Sequence, residues 1–160
     1  NYKNSLYIRL TAGGNTRIIN SKDYKFKIGK AIELMSGEDV AIISCGNILG
    51  NCVDAAVSLR KKKISCSVIN MHTIKPLDKK KIVEISKKFK LIITVEEHNI
   101  IGGLGSAVAE GLSGVISNTK LVRLGADDHY SSGGSYEYLK NIYGLSVQKI
   151  IRTILKNYEK

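Results

Sequence analysis

Proline is nearly absent from this chain, with one in 160 residues, so little interrupts regular structure; at 43% hydrophobic it can bury a sizeable core. No stretch approaches the roughly 20 apolar residues that a membrane helix needs. Residues 1–10 lack the apolar centre and small-residue cleavage site of a secretory leader. Asn1 is not a methionine, and Leu6 to Leu10 already reads as a short strand, so a fragment, a processed chain or trimmed numbering is expected. The only cysteines are Cys45, Cys52 and Cys66. An odd number in apolar surroundings argues against a disulfide framework and points to a reducing, cytoplasmic compartment. Their spacing fits no zinc pattern, so each reads as a small buried hydrophobe. There is no P-loop, no His-Glu-x-x-His, no Gly-x-Ser-x-Gly elbow, no internal repeat and no low-complexity tract.

Charge is plentiful and mostly of one sign. The net +11 comes mainly from lysine, in Arg60-Lys61-Lys62-Lys63, Lys79-Lys80-Lys81 and Lys87-Lys88. Such runs can bind phosphates. No aromatic residues alternate with them to stack bases, however, and Ile82, Ile85 and Phe89 mark an inward helix face with most lysines opposite. A solvated helix face is the plainer reading.

From Val40 onward the pattern is regular. Val40 to Ser44, Lys63 to Asn70, Leu91 to Val95 and Lys120 to Leu124 read as strands. Between and after them, Ile48 to Leu59, Asp78 to Lys88, Ser106 to Leu112 and Gly144 to Tyr158 have helical spacing. Asp78, just after Pro76, is placed to cap its helix. In the last helix Val147, Ile150, Ile151, Ile154 and Leu155 are expected to face inward. Thr11 to Asp23 is turn-rich and reads as a linker, and Phe26 to Leu34 as extended chain. Alternating strands and helices predict a three-layer α/β fold with a mostly parallel sheet flanked by helices.

The richest stretch is Thr94 to Ser106, where an apolar strand ends in Glu96, Glu97 and His98 and a glycine loop (Gly102, Gly103, Gly105) leads to Ser106 and a helix. In parallel sheets such tips carry functional groups. The loop imitates a dinucleotide fingerprint poorly, since it follows the third regular strand and no acidic residue closes Lys120 to Leu124. Free amides at the start of the Ser106 helix could still hold an anion; glycines that merely allow tight packing are the plainer reading. Glu96, Glu97 and His98 could form an acid/base set or part of a metal site. Alternation along a strand separates Glu96 from Glu97 and lets Glu96 and His98 share a face. Asp128 and His129, after the fourth strand, fall on the same edge of the sheet as His98; His72 is another loop histidine.

Taken in order, several pieces resemble the C-terminal domain of the transketolase family. They are Asp39 to Gly46, Ala55-Ala56-x-x-Leu59, Ile69 to Asp78 with its Lys75-Pro76-Leu77-Asp78, Val95 to His98, Gly102 to Ser106, Arg123-Leu124-Gly125-x-x-Asp128 and Tyr143-Gly144-Leu145. The resemblance covers about residues 39–160 and is closer to transketolase, including its split two-subunit form, than to other members. It implies a C-terminal domain over residues 37–160, a linker or extended segment over 13–36, and, in residues 1–12, the end of a preceding pyrimidine-binding domain. The complete enzyme would use thiamine diphosphate and a divalent metal such as Mg to move a two-carbon ketol unit between sugars.

This chain has no Gly-Asp-Gly diphosphate–metal motif. The resemblance therefore implies a structural, dimerisation role with no catalytic, cofactor or metal residue of its own, partnered by the remaining domains or an N-terminal subunit. Glu96, Glu97, His98, Gly102, Gly103, Gly105, Ser106, Asp128 and His129 become candidates for an anion-holding or domain-contact edge. The family's phosphate-binding arginine aligns with Ala12, which opens an unphosphorylated sugar or another aldehyde as substrate. Alternatives are a docking domain of a 2-oxo acid dehydrogenase beta subunit, a deoxyxylulose-phosphate synthase fragment, or a nucleotide-binding regulator using the glycine loop. Nucleic acid and membrane are not expected partners.

Overall fold

The structure, a computed structural model, describes residues 3–10, 17, 19 and 24–158. Along the chain run β1 (Ile32–Met35), β2 (Val40–Ser44), α1 (Leu49–Arg60), β3 (Cys66–Asn70), α2 (Lys79–Lys88), β4 (Leu91–Asn99), α3 (Leu104–Leu112), β5 (Lys120–Ala126), α4 (Tyr136–Ile142) and α5 (Val147–Asn157). The sheet order is β1-β3-β2-β4-β5; β2 to β5 are parallel and β1 is an antiparallel edge on β3.

The apolar runs of β2 and β3 are buried at every position, because helices cover both faces of the sheet. Alternation along each strand divides the core in two. Val40, Ile42, Val68, Leu91, Ile93 and Val95 pack with α1 and α5. Ala41, Ile43, Ile69 and Ile92 pack with Ile82 and Ile85 of α2 and Leu104 and Val108 of α3. These are the three layers expected. Cys52 and Cys66 are buried and Cys45 partly so; all three are free thiols.

Local reasons for the elements are visible. The chain turns at Ile28 and Gly29, whose φ of +74° suits glycine, and Lys30 N–H donates back to the Lys27 carbonyl at 3.0 Å. Between β1 and β2, Gly37 lies so close to β3 that a Cβ there would sit 2.2 Å from the Cys66 carbonyl carbon. Asp39, at the amino end of β2, accepts Ser65 N–H at 2.6 Å and the Tyr158 hydroxyl at 2.9 Å, pinning the end of α5 to the sheet.

Several expectations need correction. Leu6 to Leu10 forms no strand: it is exposed and joins no ladder of the sheet, and strand-like composition without a partner strand makes none. The extended reading of Phe26 to Leu34 resolves into the turn and β1, so the sheet takes in residues placed in the linker. β4 continues past Val95 to Asn99, and α3 begins at Leu104, two residues before Ser106. Leu155 is 41% exposed, whereas Ile150 and Ile154 are buried. The helix α4 had no counterpart in the sequence reading. Ala12 and most of Thr11 to Asp23 lie outside the described residues; Arg17 pairs with Asp54 at 2.6 Å, and Ile19 packs on the α1/α5 core.

The Asp78 cap is present and does more than expected. One oxygen accepts Lys81 N–H at 3.3 Å, while the other accepts Ala31 N–H at 3.1 Å, so one buried carboxylate ties the start of α2 to the edge strand. Asp78→Ala should cost about 2–3 kcal/mol, a lost cap plus a stranded amide, read by urea unfolding. Asp78→Asn should recover part of this. An unchanged midpoint for the alanine variant would rule the contact out as a fastening.

Candidate functional site at the carboxyl edge of the sheet

Parallel strands deliver their carboxyl ends, and the following helices their amino ends, to one edge of the molecule. There β4 runs into the glycine loop and α3. Alternation turns Glu96 toward the α2/α3 layer, where its side chain is buried. Its Oε2 accepts Leu104 N–H at 2.6 Å and its Oε1 accepts Gly105 N–H at 2.7 Å. These are first-turn amides of α3, which no residue of that helix can satisfy. The helix dipole adds a favourable field for the carboxylate. The N-cap residue, Gly103, has no side chain to do this work.

The glycines make room for that carboxylate. A Cβ on Gly103 would fall 2.0 Å from Glu96 Oε2. On Gly105 it would meet Thr94 Oγ1 and Arg123 Cδ, each at 2.8 Å. On Gly125 it would lie 2.7 Å from the His98 carbonyl and 3.2 Å from Glu96 Cγ. Gly102 has a φ of +76°. The loop is closed by its own polar groups. Ser106 Oγ donates to the Ile100 carbonyl at 3.0 Å and accepts Gly102 N–H at 2.9 Å. Arg123 donates to the same carbonyl at 3.0 Å and to Ser106 Oγ at 3.2 Å. Asn99 Oδ1 accepts Ile101 N–H at 2.7 Å, and its amide donates to Asp128 at 3.0 Å.

The other candidates are not drawn together. Glu97 faces the opposite layer from Glu96 and accepts the Tyr136 hydroxyl. Asn47, from the β2–α1 loop, donates to Tyr136 Oη at 3.1 Å. Burial and the neighbouring Glu97 raise the Tyr136 pKa, so the phenol stays protonated. Arg9 donates twice to the Glu97 carbonyl, at 3.3 Å each. His98 is exposed, with Nδ1 2.9 Å from the Asn99 carbonyl oxygen. His129 is exposed and its ring lies 5.6 Å from that of Tyr143. His72 sits apart, against Phe26 with ring centres 4.5 Å apart, and burial lowers its pKa. Cys45 is no nucleophile at neutral pH, since burial and then Glu96 push its thiol up to about 11.

Glu96 and His98, though two residues apart, therefore form no acid/base pair: one is sealed under α3 and the other is in solvent. The β4–β5 register shifts between Val95 and Asn99, which breaks the simple alternation that would have aligned them. Among the described residues no group of three His, Cys, Asp or Glu side chains could hold a metal ion. Two contributors escaped the sequence reading. Tyr136 lies on α4, whose only local signal is Ser135, which accepts Tyr138 N–H at the helix start. Arg123 reads as an ordinary strand residue and reaches the loop only in three dimensions.

Residues 29–150 match the family model described as transketolase, C-terminal domain. A Methanocaldococcus jannaschii protein named as a transketolase C-terminal section is 38% identical over 161 aligned residues, covering 99% of this chain and 50% of its own length. A 1-deoxy-D-xylulose-5-phosphate synthase of Caldanaerobacter subterraneus subsp. tengcongensis is 38% identical over 139 residues, 87% of this chain and 22% of the synthase. A solved structure described as a split gene transketolase, inactive beta4 tetramer, superposes with a TM-score of 0.80 at 32% identity, covering 88% of this chain and 45% of that one. The chain thus spans half or less of the length of each of these proteins.

Glu96→Ala leaves two buried amides without a partner and should cost about 2–4 kcal/mol in urea unfolding. Gly103→Ala should destabilise in the same direction by about 1–3 kcal/mol, because its methyl displaces the carboxylate. Wild-type midpoints in both would contradict the assigned contact.

Proposed function

Because the chain belongs to the transketolase C-terminal domain family, we propose that it is the C-terminal section of a transketolase-like enzyme that moves a two-carbon ketol unit between sugars. The complete enzyme would hold thiamine diphosphate and a divalent metal such as Mg on its other domains or on an N-terminal subunit. The role of this section is to support assembly, including a homodimer, in the cytoplasm. The segment before β1 would join it to a preceding pyrimidine-binding domain.

The observation that carries this reading is the Glu96 contact. The amides best placed for a diphosphate are taken up by the chain's own carboxylate. No three-ligand metal group exists among the described residues. The residues present therefore do not fit the cofactor, and no step of its chemistry is assigned to them. What the edge does offer outward suits contact with other domains. On the loops of this edge Ile101 is 62% exposed and Tyr130 fully so, and the polar side chains of His98 and Asp128 are exposed as well. Exposed apolar groups among polar ones are the composition of an interface rather than of a catalytic cleft. The relative named as a C-terminal section aligns with nearly all of this chain, which supports the division into subunits. The synthase relative keeps a deoxyxylulose-phosphate synthase-type assembly as the second reading.

The test is reconstitution with the polypeptide that carries the Gly-Asp-Gly motif. Ketol transfer should appear only in the mixture, and the chain alone should show no micromolar binding of thiamine diphosphate by calorimetry. Ile101→Asp should weaken assembly at least tenfold, about 1.4 kcal/mol, with the chain's own melting unchanged. Cofactor binding or turnover by the isolated chain would overturn the proposal.

A further inference from the structure

The opposite edge of the sheet has its own character. Parallel topology gathers there the loops that precede β3, β4 and β5, and with them Arg60 through Lys63, Lys87, Lys88, Lys90 and Lys120. All eight are exposed, and among the described residues none takes part in an ion pair. Glu38 and Asp39 lie at the amino end of β2, with Asp39 engaged by Ser65 and Tyr158; Glu33, which Lys81 already holds, is near enough to feel Lys88, and Glu84 precedes Lys88 by one turn of α2. The row extends from β3 to β5, three strand spacings or about 14 Å. By contrast Lys81, on the side of α2, is neutralised by Glu33 at 3.2 Å and Glu84 at 2.8 Å. The chain pairs that lysine and leaves the edge row unpaired.

Within the row lies a depression of mostly polar lining with one exposed apolar side chain, Ile116. Residues 86–90 and 116–119 line this open depression of about 390 Å³. Ile116, at its lip, is fully exposed, and Lys88 lies over the Phe89 ring at 5.0 Å. Interfaces between proteins have this anatomy, an apolar anchor point with a charged rim. Stacking of nucleic acid bases calls for exposed aromatic rings between the cations, and Phe89 is buried. An anionic membrane surface would draw on the same charges, but it would leave the depression beside Ile116 unfilled.

We propose that the amino-terminal edge of the sheet docks an acidic protein segment, whose carboxylates lie along the lysine row and whose apolar side chain seats beside Ile116. This does not rest on the function proposed above, because it uses the other edge of the domain.

Chemical-shift titration of the ¹⁵N-labelled full chain tests it. The probes are a ten-residue peptide of glutamates flanking one leucine, the same peptide with serine for leucine, oligouridine, and phosphatidylserine vesicles. Shifts from the leucine peptide should be confined to residues 60–63, 86–90 and 116–120, and affinity should fall about tenfold or more between low and high salt. The double variant Lys87→Glu, Lys88→Glu and the separate pair Lys61→Glu, Lys62→Glu should each weaken it at least about fivefold; all four side chains are exposed, and thermal melting of each variant separates lost binding from lost fold, since Lys87 and Lys88 end α2 and Lys88 lies over Phe89. Ile116→Ser should weaken the leucine peptide about threefold and leave the serine peptide unchanged. Equal binding of the two peptides, tighter binding of oligouridine or vesicles, or shifts spread over other edges would each overturn the proposal.

Discussion

A buried carboxylate accepting two backbone amides, from Glu96 to Leu104 and Gly105, is the constraint around which the carboxyl edge is built. A lone carboxylate in a dry interior would be prohibitively costly, and four amides at a helix start need partners from outside the helix. Each problem solves the other. The geometry then demands what the loop sequence supplies: no side chain at residue 103, none at 105 where α3 crosses Thr94 and Arg123, and none at 125 on the neighbouring strand. The glycines are therefore packing residues around an internal anion, and their likeness to a phosphate-binding loop follows from the same physics with a different occupant.

That arrangement divides the labour of the edge. Facing in, Glu96 fastens strand to helix. Facing the other layer, Glu97 holds Tyr136, so that α4, which has no buried residue of its own, is moored by polar contacts. What remains outward is a surface of mixed character suited to contact with other domains. The far edge carries unpaired cations instead, because loops entering parallel strands all emerge on one side. A single topology thus gives the domain two chemically distinct ends.

How much of this could be read from residues alone follows the range of the interactions. The Asp78 cap was legible because its partner amide lies three residues on, and local geometry leaves little choice. β2, β3 and the first half of β4 were legible because strands covered on both faces read as apolar runs, and the edge strand β5 by its short run Leu121, Val122 and Leu124. Alternation correctly placed Glu96 and Glu97 on opposite sides. The partners of Glu96 lie eight and nine residues away across a loop, and nothing in the residue types distinguishes amides that await a ligand from amides already taken. Leu6 to Leu10 shows the converse limit: β-rich composition forms no strand without a neighbour. α4 carries no inward apolar stripe to betray it, and β1 shows only as extended chain because a four-residue antiparallel edge leaves almost no pattern to bound it.

The central claim is that the amides at the start of α3 belong to Glu96 and not to a ligand. Amide hydrogen exchange at Leu104 and Gly105, followed on the purified chain free of phosphate and other anions, tests it most directly. Slow exchange at both, unchanged when phosphate or thiamine diphosphate is added, is the predicted result. Fast exchange in the free chain that becomes slow only on adding an anion would contradict it.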